Sequence, residues 1–379
     1  MSHPMRVLHV YSGNLYGGIE AFLHTVARTQ GLHAGVQHEF ALCFEGRLAR
    51  ELREAGAELH SLGATRVGRP GSVWRARSAL RALLRGGGYG AVICHAIWSQ
   101  ALFGPVVRAL GVPLVFYQHD ALNGRHWLER WARATEPDLV ITNSRYSAGT
   151  LARVYPHAPW TLAYSPVLAP APEGARDEMR ARLRAGLGAH EQDVVIVQTS
   201  RMEAWKGQRL LLEALGRLRE VAGWRAWVAG GAQRPEEEAY LEGLRAQVHS
   251  LGLTERVHFL GQRSDVPCLL RAADIHCQPN LGPEPFGIAF VEALQAGLPV
   301  VTTAMGGPLE IVDASCGMLV PPEPGALAAA LRRLIEDPAL RSRLGQGGPV
   351  RAAALSDSRA YLRGLEEALR ALTGERARA

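Results

Sequence analysis

The chain has 379 residues, of which 47% are hydrophobic and 21% are charged, which is typical of a globular protein and long enough for two domains. It has no run of about 18 apolar residues, which excludes a membrane-spanning helix, and its five separate cysteines argue against zinc or a disulfide framework. The net charge of +6 favours anionic partners, but no arginine stripe with exposed aromatics predicts a nucleic-acid partner.

The first half of the chain alternates strand and helix patterns. Strands are predicted over residues 6–10, 39–43, 91–95, 114–117 and 139–142, and helices over 19–29, 46–54, 73–84 and 125–133. This alternation predicts a parallel sheet flanked by helices. Because no signal-peptide core precedes the first strand, we expect a cytoplasmic protein. Five prolines between residues 156 and 175 then predict an interdomain connection, so a first domain covers residues 1–166.

A second alternation follows. Strands are predicted over residues 194–198, 226–229, 257–260, 275–278 and 300–302, and helices over 207–220, 236–251, 287–296, 325–336 and 357–373. We expect a second α/β domain over residues 167–356, without an internal sequence repeat. Two such domains facing each other leave a cleft, and open parallel sheets bind ligands beyond the carboxyl ends of their strands.

Two polar segments of the first domain follow strands. Gly17 and Gly18 lie between the first strand and its helix, where backbone N–H groups can contact a phosphate or a sugar, although the Gly-x-Gly-x-x-Gly spacing is not met. His119 ends the run 115–119, so it should emerge at the carboxyl end of a strand. A buried histidine with a purely structural role is an equal alternative.

Lys206 is the only lysine among 42 basic side chains. An ammonium is a compact point charge on a flexible stem, which suits one crowded phosphate oxygen better than a guanidinium does. With Arg201 five residues upstream, the segment predicts a cationic clamp on a diphosphate. The alternative is that one lysine persists by chance on a solvated loop.

Two carboxylates, Glu284 and Glu292, flank a predicted loop-to-helix transition. Pro285 keeps Glu284 out of the helix, and Gly287 and Ile288 should begin it with free N–H groups that can receive an anion. Glu292 lies inside the apolar run of this helix, where its carboxylate could bind sugar hydroxyls. The alternative is that both glutamates only complement the positive helix terminus.

A second glycine pair follows the strand at 300–302: Gly306 and Gly307, with Glu310 after them. Here an ordinary tight turn and a close approach to a ligand are both open. In order and spacing, these segments together resemble the family 4 glycosyltransferases, which are retaining sugar-nucleotide enzymes of the GT-B fold. The resemblance spans nearly the whole chain and implies two Rossmann-like domains facing across a deep cleft.

The resemblance also implies roles for matching positions. Arg201 and Lys206 would hold the donor diphosphate and offset the charge that builds on it, Glu292 would bind the ribose, and Glu284 would contact the donor sugar. His119 is similar to the family histidine that contacts the transferred sugar. The remaining donor contacts would come from backbone groups of Phe286, Gly287, Ile288, Gly17 and Gly18.

The implied reaction is a metal-independent hexosyl transfer with retention, in assembly of a polysaccharide or glycoconjugate. No Asp-x-Asp cluster is present, so no metal and no further cofactor is predicted. We expect front-face attack, in which the departing phosphate accepts the acceptor proton. A GT-B sugar-nucleotide epimerase and a non-catalytic nucleotide-binding module are the alternatives. The resemblance also implies that the C-terminal helix, within residues 357–379, packs back on the first domain.

The acceptor is expected to be a glycan or a lipid-linked molecule. Residues 69–85 form a basic amphipathic helix that could lie on an anionic membrane and bring the protein to its inner face. An ordinary domain helix with its apolar side inward is the alternative. Trp127 and Trp131, one turn apart, leave the same choice between core anchors and an acceptor platform.

Overall fold

The computed structural model of the protein describes residues 4–168 and 176–376. The chain divides into two compact units: Met1–Leu168 together with Ser356–Ala379, and Ala169–Leu355. No helix in the described ranges is both long and apolar enough to cross a membrane.

In its described residues, the first unit contains a seven-stranded sheet with the order β3-β2-β1-β4-β5-β6-β7. Every neighbouring pair is parallel. The strands are β1 (Met5–Tyr11), β2 (Val36–Leu42), β3 (Glu58–Ser61), β4 (Ala91–His95), β5 (Leu114–Gln118), β6 (Leu139–Thr142) and β7 (Trp160–Leu162). The helices between them are α1 (Gly18–Thr29), α2 (Arg47–Glu54), α3 (Pro70–Gly87), α4 (Ala96–Ala109), α5 (Trp127–Arg133) and α6 (Arg145–Ala148).

The second unit repeats this architecture with a six-stranded parallel sheet in the order β10-β9-β8-β11-β12-β13. Its strands are β8 (Val194–Thr199), β9 (Trp224–Ala229), β10 (Val257–Gly261), β11 (Ile275–Gln278), β12 (Val300–Thr303) and β13 (Gly317–Val320). Its helices are α7 (Arg176–Gly186), α8 (Gln208–Gly216), α9 (Pro235–Ser250), α10 (Val266–Ala272), α11 (Ile288–Gln295), α12 (Pro308–Ile311), α13 (Pro324–Glu336) and α14 (Pro338–Ser356).

The last helix, α15 (Ser358–Arg376), packs on α1 within the first unit. The Tyr361 ring lies edge-on to Phe22, with centroids 5.7 Å apart, and Glu366 accepts a hydrogen bond from His33. Residues 377–379 of the predicted helix lie outside the described residues.

Both units have apolar cores because their central strands carry side chains that are buried on both faces of the sheet. In β4 every residue is buried, and so is every residue of β5. Continuous apolar burial is expected when helices cover both faces of a parallel sheet. The predicted fold class, two parallel-sheet α/β domains, is therefore confirmed.

Several element predictions were incomplete. β7 forms within the proline-rich residues 156–175, because its three residues lie between Pro159 and Pro166 and include no proline; Pro170 and Pro172 lie outside the described residues. α4 was missed, since it is apolar on most sides and contains Pro105. The predicted helix 207–220 ends at Gly216, and the predicted strand 39–43 is 36–42.

Candidate functional site

An ion pair between Lys206 and Glu284 lies at the carboxyl edge of the second sheet. Lys206 ends a short turn after β8, and its Nζ is 2.6 Å from Glu284 Oε2. The same ammonium lies 3.9 Å from the centroid of the Trp205 ring. Gly207 follows in the left-handed region, at φ 75°, where a Cβ would lie 1.8 Å from the carbonyl oxygen of Pro279. The turn therefore requires glycine directly after the lysine.

Buried amides hold the Glu284 carboxylate. Asn280 Nδ2 donates to Glu284 Oε2 at 2.9 Å, and Gln278 Nε2 approaches the same oxygen at 3.4 Å. Both amide side chains are almost fully buried; Gln278 is the last residue of β11 and Asn280 lies two residues beyond it. Sequence reasoning missed both residues. Their position in the sequence could have indicated them, because polar residues at the carboxyl end of a buried parallel strand lie where such sheets bind ligands.

The loop that carries Glu284 is fixed to the glycine pair after β12. Glu284 and Gly306 form an isolated parallel bridge, and the Gly307 N–H donates to the Glu284 carbonyl at 2.7 Å. Gly306 has φ 72°, and a Cβ there would lie 2.4 Å from the same carbonyl oxygen. Gly306 and Gly307 are thus needed for close backbone packing that positions Glu284.

Helix α11 begins directly after this loop. Gly287 precedes it with φ 111°, Phe286 is 2% exposed, and Ile288 is half-buried as its first residue. Glu292 lies one turn further along, where burial raises the pKa of its carboxyl to about 7. Within the described parts of the chain, no hydrogen bond reaches this carboxylate. The half-buried side chain keeps its carboxylate oxygens available for sugar hydroxyls.

Arg201 lies on the same loop as Lys206 but is paired with other carboxylates. Its guanidinium contacts Glu237 and lies 3.2 Å from Glu203. Two glutamines brace the loop: Gln198 donates to the Lys206 carbonyl at 2.8 Å, and Gln208 donates to the Arg201 carbonyl at 2.8 Å. The two predicted cations are therefore held on one braced loop that follows β8.

His119 lies in the first unit, immediately after β5. It is 6% exposed, and burial lowers the pKa of its imidazole to about 3. The Tyr117 ring stacks on it with centroids 4.4 Å apart, and its Nε2 lies 2.9 Å from His95 Nδ1. The imidazole is therefore neutral near pH 7 and fixed in place, so it can donate or accept a hydrogen bond but carries no charge.

Gly17 and Gly18 open helix α1 as expected, but the helix terminus already has a carboxylate. The Gly17 N–H donates to Glu20 Oε2 at 2.8 Å, and the phenol of Tyr11 donates to the other oxygen of Glu20. This arrangement satisfies one of the free donors of the helix N-terminus. A phosphate or sugar would have to use the remaining donors.

The basic helix α3 turns its apolar side inward, as an ordinary domain helix does. Ala76, Leu80 and Leu84 are buried, whereas Trp74 is 69% exposed and Arg75 is also exposed. The two tryptophans of α5 differ from each other. Trp131 packs partly buried against the core, and Trp127 is 45% exposed, with its ring edge-on to exposed Trp98 at 5.6 Å.

Three side chains on β2 and β3 come close enough to suggest a metal site: Glu39, Glu58 and His60. Arg6, however, donates two hydrogen bonds to the Glu39 carboxylate, and the Tyr89 phenol donates a third at 2.6 Å. A cation would have to displace these donors. The group is therefore a structural network of hydrogen bonds and ion pairs.

Comparison with known protein families gives two matches in chain order. Residues 16–167 match the model described as Glycosyltransferase Family 4, and residues 179–351 match the model described as Glycosyl transferases group 1. The two matches together span most of both units.

Curated relatives share only part of their length with the chain. A D-inositol 3-phosphate glycosyltransferase from Thermobifida fusca is 29% identical over 298 residues, which is 72% of this chain and 67% of that protein. A phosphatidyl-myo-inositol mannosyltransferase from Mycobacterium leprae is 42% identical over 81 residues, which is 21% of this chain and 22% of that protein.

Solved structures match over nearly the whole chain. HepE from Anabaena, in complex with UDP and glucose, has a TM-score of 0.84 and 25% identity, covering 97% of this chain and all of that one. Sucrose-phosphate synthase from Thermosynechococcus elongatus has a TM-score of 0.78 and 20% identity, with 98% and 100% covered. The latter similarity concerns the fold alone.

Proposed function

The chain belongs to the family 4 glycosyltransferases and has their GT-B fold, and on this premise we propose that it transfers a sugar from a nucleoside diphosphate sugar with retention of configuration and without a metal. The observation that carries the proposal is the Lys206–Glu284 pair at 2.6 Å, held at the carboxyl edge of the second sheet beside the N-terminus of α11. A single ammonium, a carboxylate and a helix terminus form a polar group suited to a sugar diphosphate.

Each polar group has a proposed task. Lys206 keeps one N–H on Glu284 and turns the others to the diphosphate, while Arg201 adds a second positive charge near it. Together they stabilise the negative charge that grows on the leaving nucleotide. Glu292 binds the ribose hydroxyls, Glu284 contacts the donor sugar, and His119 contacts the transferred sugar as a neutral group.

Uridine diphosphate glucose is the first donor to test. HepE, which is 25% identical over nearly the whole chain, has been crystallised with UDP and glucose, and a second structure of it contains UDP-glucose. This similarity supports a nucleotide-sugar donor for the present chain and makes uracil the base that we propose. GDP and ADP belong in the same experiment, because an ammonium can bind the diphosphate of any of the three nucleotides.

The proposed chemistry needs no protein nucleophile. The bond between the anomeric carbon and the phosphate oxygen breaks as the acceptor oxygen forms a bond on the same face. The acceptor proton goes to the departing phosphate oxygen. A covalent glycosyl group trapped on Glu284 during turnover would contradict this route.

The deciding experiment is thermal unfolding of the purified protein with millimolar UDP, GDP or ADP, next to the Lys206→Ala variant. A ligand at 100 times its Kd stabilises the folded state by about 2.7 kcal/mol and raises Tm by several degrees. We expect one nucleotide to shift the wild type and not the variant. UDP-glucose is then incubated with candidate acceptors, and release of UDP is measured. Epimerisation without acceptor, or no shift with any nucleotide, would contradict the proposal.

The acceptor is proposed to be a hydroxyl of a glycan or of a lipid-linked molecule. Two relatives are named for inositol acceptors, D-inositol 3-phosphate and phosphatidyl-myo-inositol. Because their matches cover only part of each relative, these acceptors enter as the first compounds of a screen with UDP-glucose. Transfer to inositol phosphate but not to free glucose would place the protein with these relatives.

Contact with an anionic membrane is a separate part of the proposal. Its support is Trp74, 69% exposed on α3 beside exposed Arg75, an aromatic and basic pair that favours the lipid interface. We expect the protein to float with phosphatidylglycerol vesicles at low salt, and Trp74→Ala to weaken flotation. Trp160→Ala is the matched control, because Trp160 is 50% exposed on the edge strand β7. Equal flotation of both variants, or none by the wild type, would contradict this contact.

A further inference from the structure

Four histidines form a continuous hydrogen-bonded chain through the first sheet. They lie on or directly after four neighbouring strands, in the order β2, β1, β4 and β5: His38, His9, His95 and His119. His38 Nδ1 is 2.9 Å from His9 Nε2, His9 Nδ1 is 2.9 Å from His95 Nε2, and His95 Nδ1 is 2.9 Å from His119 Nε2. All four rings are at most 6% exposed. The chain therefore crosses the interior of the sheet and ends at His119.

These imidazoles are neutral near pH 7, because burial lowers the pKa of each one. A neutral imidazole has one N–H donor and one acceptor nitrogen. His9 and His95 use both ring nitrogens within the chain, so each must donate on one side and accept on the other. All three hydrogen bonds then point the same way. Either every histidine is protonated on Nδ1, or every one is protonated on Nε2.

The two patterns differ at the ends of the chain. Protonation on Nδ1 leaves an N–H on His119 and a lone pair on His38 Nε2, and protonation on Nε2 does the reverse. An end N–H without a protein partner must be satisfied by water. His38 is 2% exposed and His119 is 6% exposed, so the N–H is better placed at the His119 end. Burial therefore favours protonation on Nδ1 throughout.

We propose that His38, His9 and His95 are positioning residues that hold His119 in the Nδ1–H tautomer, so that its Nδ1 donates a hydrogen bond to an oxygen of the donor sugar. Packing already fixes the position of the ring, since Tyr117 stacks on it and Phe22 lies 5.1 Å away edge-on. The hydrogen bonds among the four histidines determine which nitrogen of His119 carries the proton. The link to catalysis rests on the proposed function of His119, whereas the tautomer of the four histidines is independent of that function.

The first test is the tautomer of each histidine in the wild-type protein, read from long-range proton–nitrogen NMR correlations at pH 7. We expect His38, His9, His95 and His119 all to be protonated on Nδ1. His60 is the internal reference, because it lies on β3 of the same sheet and its Nε2 faces the Glu39 carboxylate at 3.0 Å. We expect its proton on Nε2. A mixed set within the chain, or protonation on Nε2 throughout, would overturn the proposal.

The second test changes the far end of the chain with an isosteric pair. In His38→Gln the amide can still donate to His9 Nε2, so His119 should stay protonated on Nδ1 and kcat should stay within about threefold of the wild type. In His38→Glu the carboxylate can only accept, so His9 is drawn to Nε2–H and the pattern reverses up to His119. We expect kcat with UDP-glucose to fall about tenfold, which is the worth of one hydrogen bond, and KM to change little.

The control is His60→Gln, which keeps a donor for Glu39 and leaves the chain untouched. If His119 keeps its Nδ1–H in His38→Glu, the proposal is wrong, because His38 then does not govern it. If the tautomer reverses but kcat does not change, the histidines do control the tautomer of His119, but the proposed role of its Nδ1–H in sugar transfer is wrong. If His38→Glu does not fold, the tautomers of the wild type and of His38→Gln still test whether the four histidines are protonated on Nδ1. Lack of turnover in the wild type would count against the proposed function alone, since NMR needs no turnover.

Discussion

Lys206 makes contacts that a guanidinium would reproduce only with a different geometry. Its Nζ lies 2.6 Å from Glu284 and 3.9 Å from the Trp205 ring centroid, on a turn that Gly207 closes. An arginine at this position can still pair with the carboxylate, but its planar head is longer and needs more room on the same side. The special role of Lys206 stays a prediction, and these contacts are the reason to expect that arginine cannot replace it.

The Lys206→Arg variant tests this argument. We expect its Tm to stay close to that of the wild type, because a positive charge still faces Glu284, and its kcat to fall at least tenfold. Lys206→Ala should lose more, by about 2.7–4 kcal/mol of transition-state stabilisation if the ammonium acts as an electrostatic donor to the leaving group. Steady-state kinetics with the donor found by thermal unfolding are the measurement. Near-normal turnover of the arginine variant would remove the reason for the single lysine.

Glu292 gives a prediction about pH. Burial raises the pKa of its carboxyl to about 7, so the carboxylate that accepts ribose hydroxyls is half formed at pH 7 and mostly formed at pH 8. The KM for the donor should therefore fall as pH rises from 6 to 8, with kcat largely kept if the ribose contact is made equally in ground and transition states.

The matched variant is Glu292→Gln, which resembles the protonated acid at every pH. At pH 8 its donor KM should be about tenfold higher than that of the wild type, the order of a hydrogen bond to a charged group, and its pH dependence should be flat in this range. A large loss of kcat at unchanged KM would show that Glu292 has another task.

At the scale of elements, backbone contacts join two loops of the second unit. The loop before α11 carries Glu284, and the loop after β12 holds its backbone through the Glu284–Gly306 bridge and the Gly307 N–H. The Gly306→Ala change adds a Cβ 2.4 Å from the Glu284 carbonyl oxygen at a φ of 72°, so backbone must move. We expect Tm to fall and kcat/KM to fall about 100-fold, as for a catalytic group displaced by about 1 Å.

Gly282→Ala is the control for that prediction. Gly282 lies in the same loop region, and a Cβ there would meet no atom within 4 Å and no positive φ. Its stability should stay within about 0.5 kcal/mol of the wild type. If both alanine variants behave alike in unfolding and in kinetics, the bridge does not position Glu284.

The sequence predicted most strands and helices of both units, because their apolar runs alternate with helix-period segments. It missed β3 and β13, which are only partly buried and contain no continuous buried run. It also predicted Glu284 and Lys206 as site residues, but it did not reveal that they contact each other. That contact joins residues 78 positions apart, and the amides of Asn280 and Gln278 become meaningful only when β8 and β11 are known to be neighbours.

At the scale of the whole molecule, the buried titratable groups are unevenly divided. The described part of the first unit contains His9, His38, His95 and His119, each with a pKa that burial lowers. The unfolded chain takes up protons on these histidines below about pH 6.5, while the folded unit does not. The unfolding free energy of this unit must therefore fall as pH falls from 7 to 5.5, by up to about 1.4 kcal/mol per pH unit for each histidine.

The second unit has groups that oppose each other over the same range. Burial lowers the pKa of His276 to about 3 and also lowers the pKa of half-buried His258, which makes acid destabilising. Burial raises the pKa of Glu292 to about 7, so the folded unit binds a proton that the unfolded chain releases above pH 4.5. The Glu292 contribution therefore offsets much of the histidine contribution between pH 5.5 and 7. We expect the first unit to unfold first at pH 5.5. Hydrogen exchange of peptides from β1, β4 and β5 should then quicken between pH 7 and 5.5, after correction for the intrinsic rate, while peptides from β8 and β11 change little.

The His38→Gln variant removes one of the four histidines and should reduce the acid-induced loss of unfolding free energy by about a quarter. Equal acid sensitivity of the two sheets would mean that the histidine chain does not remain neutral in the folded protein.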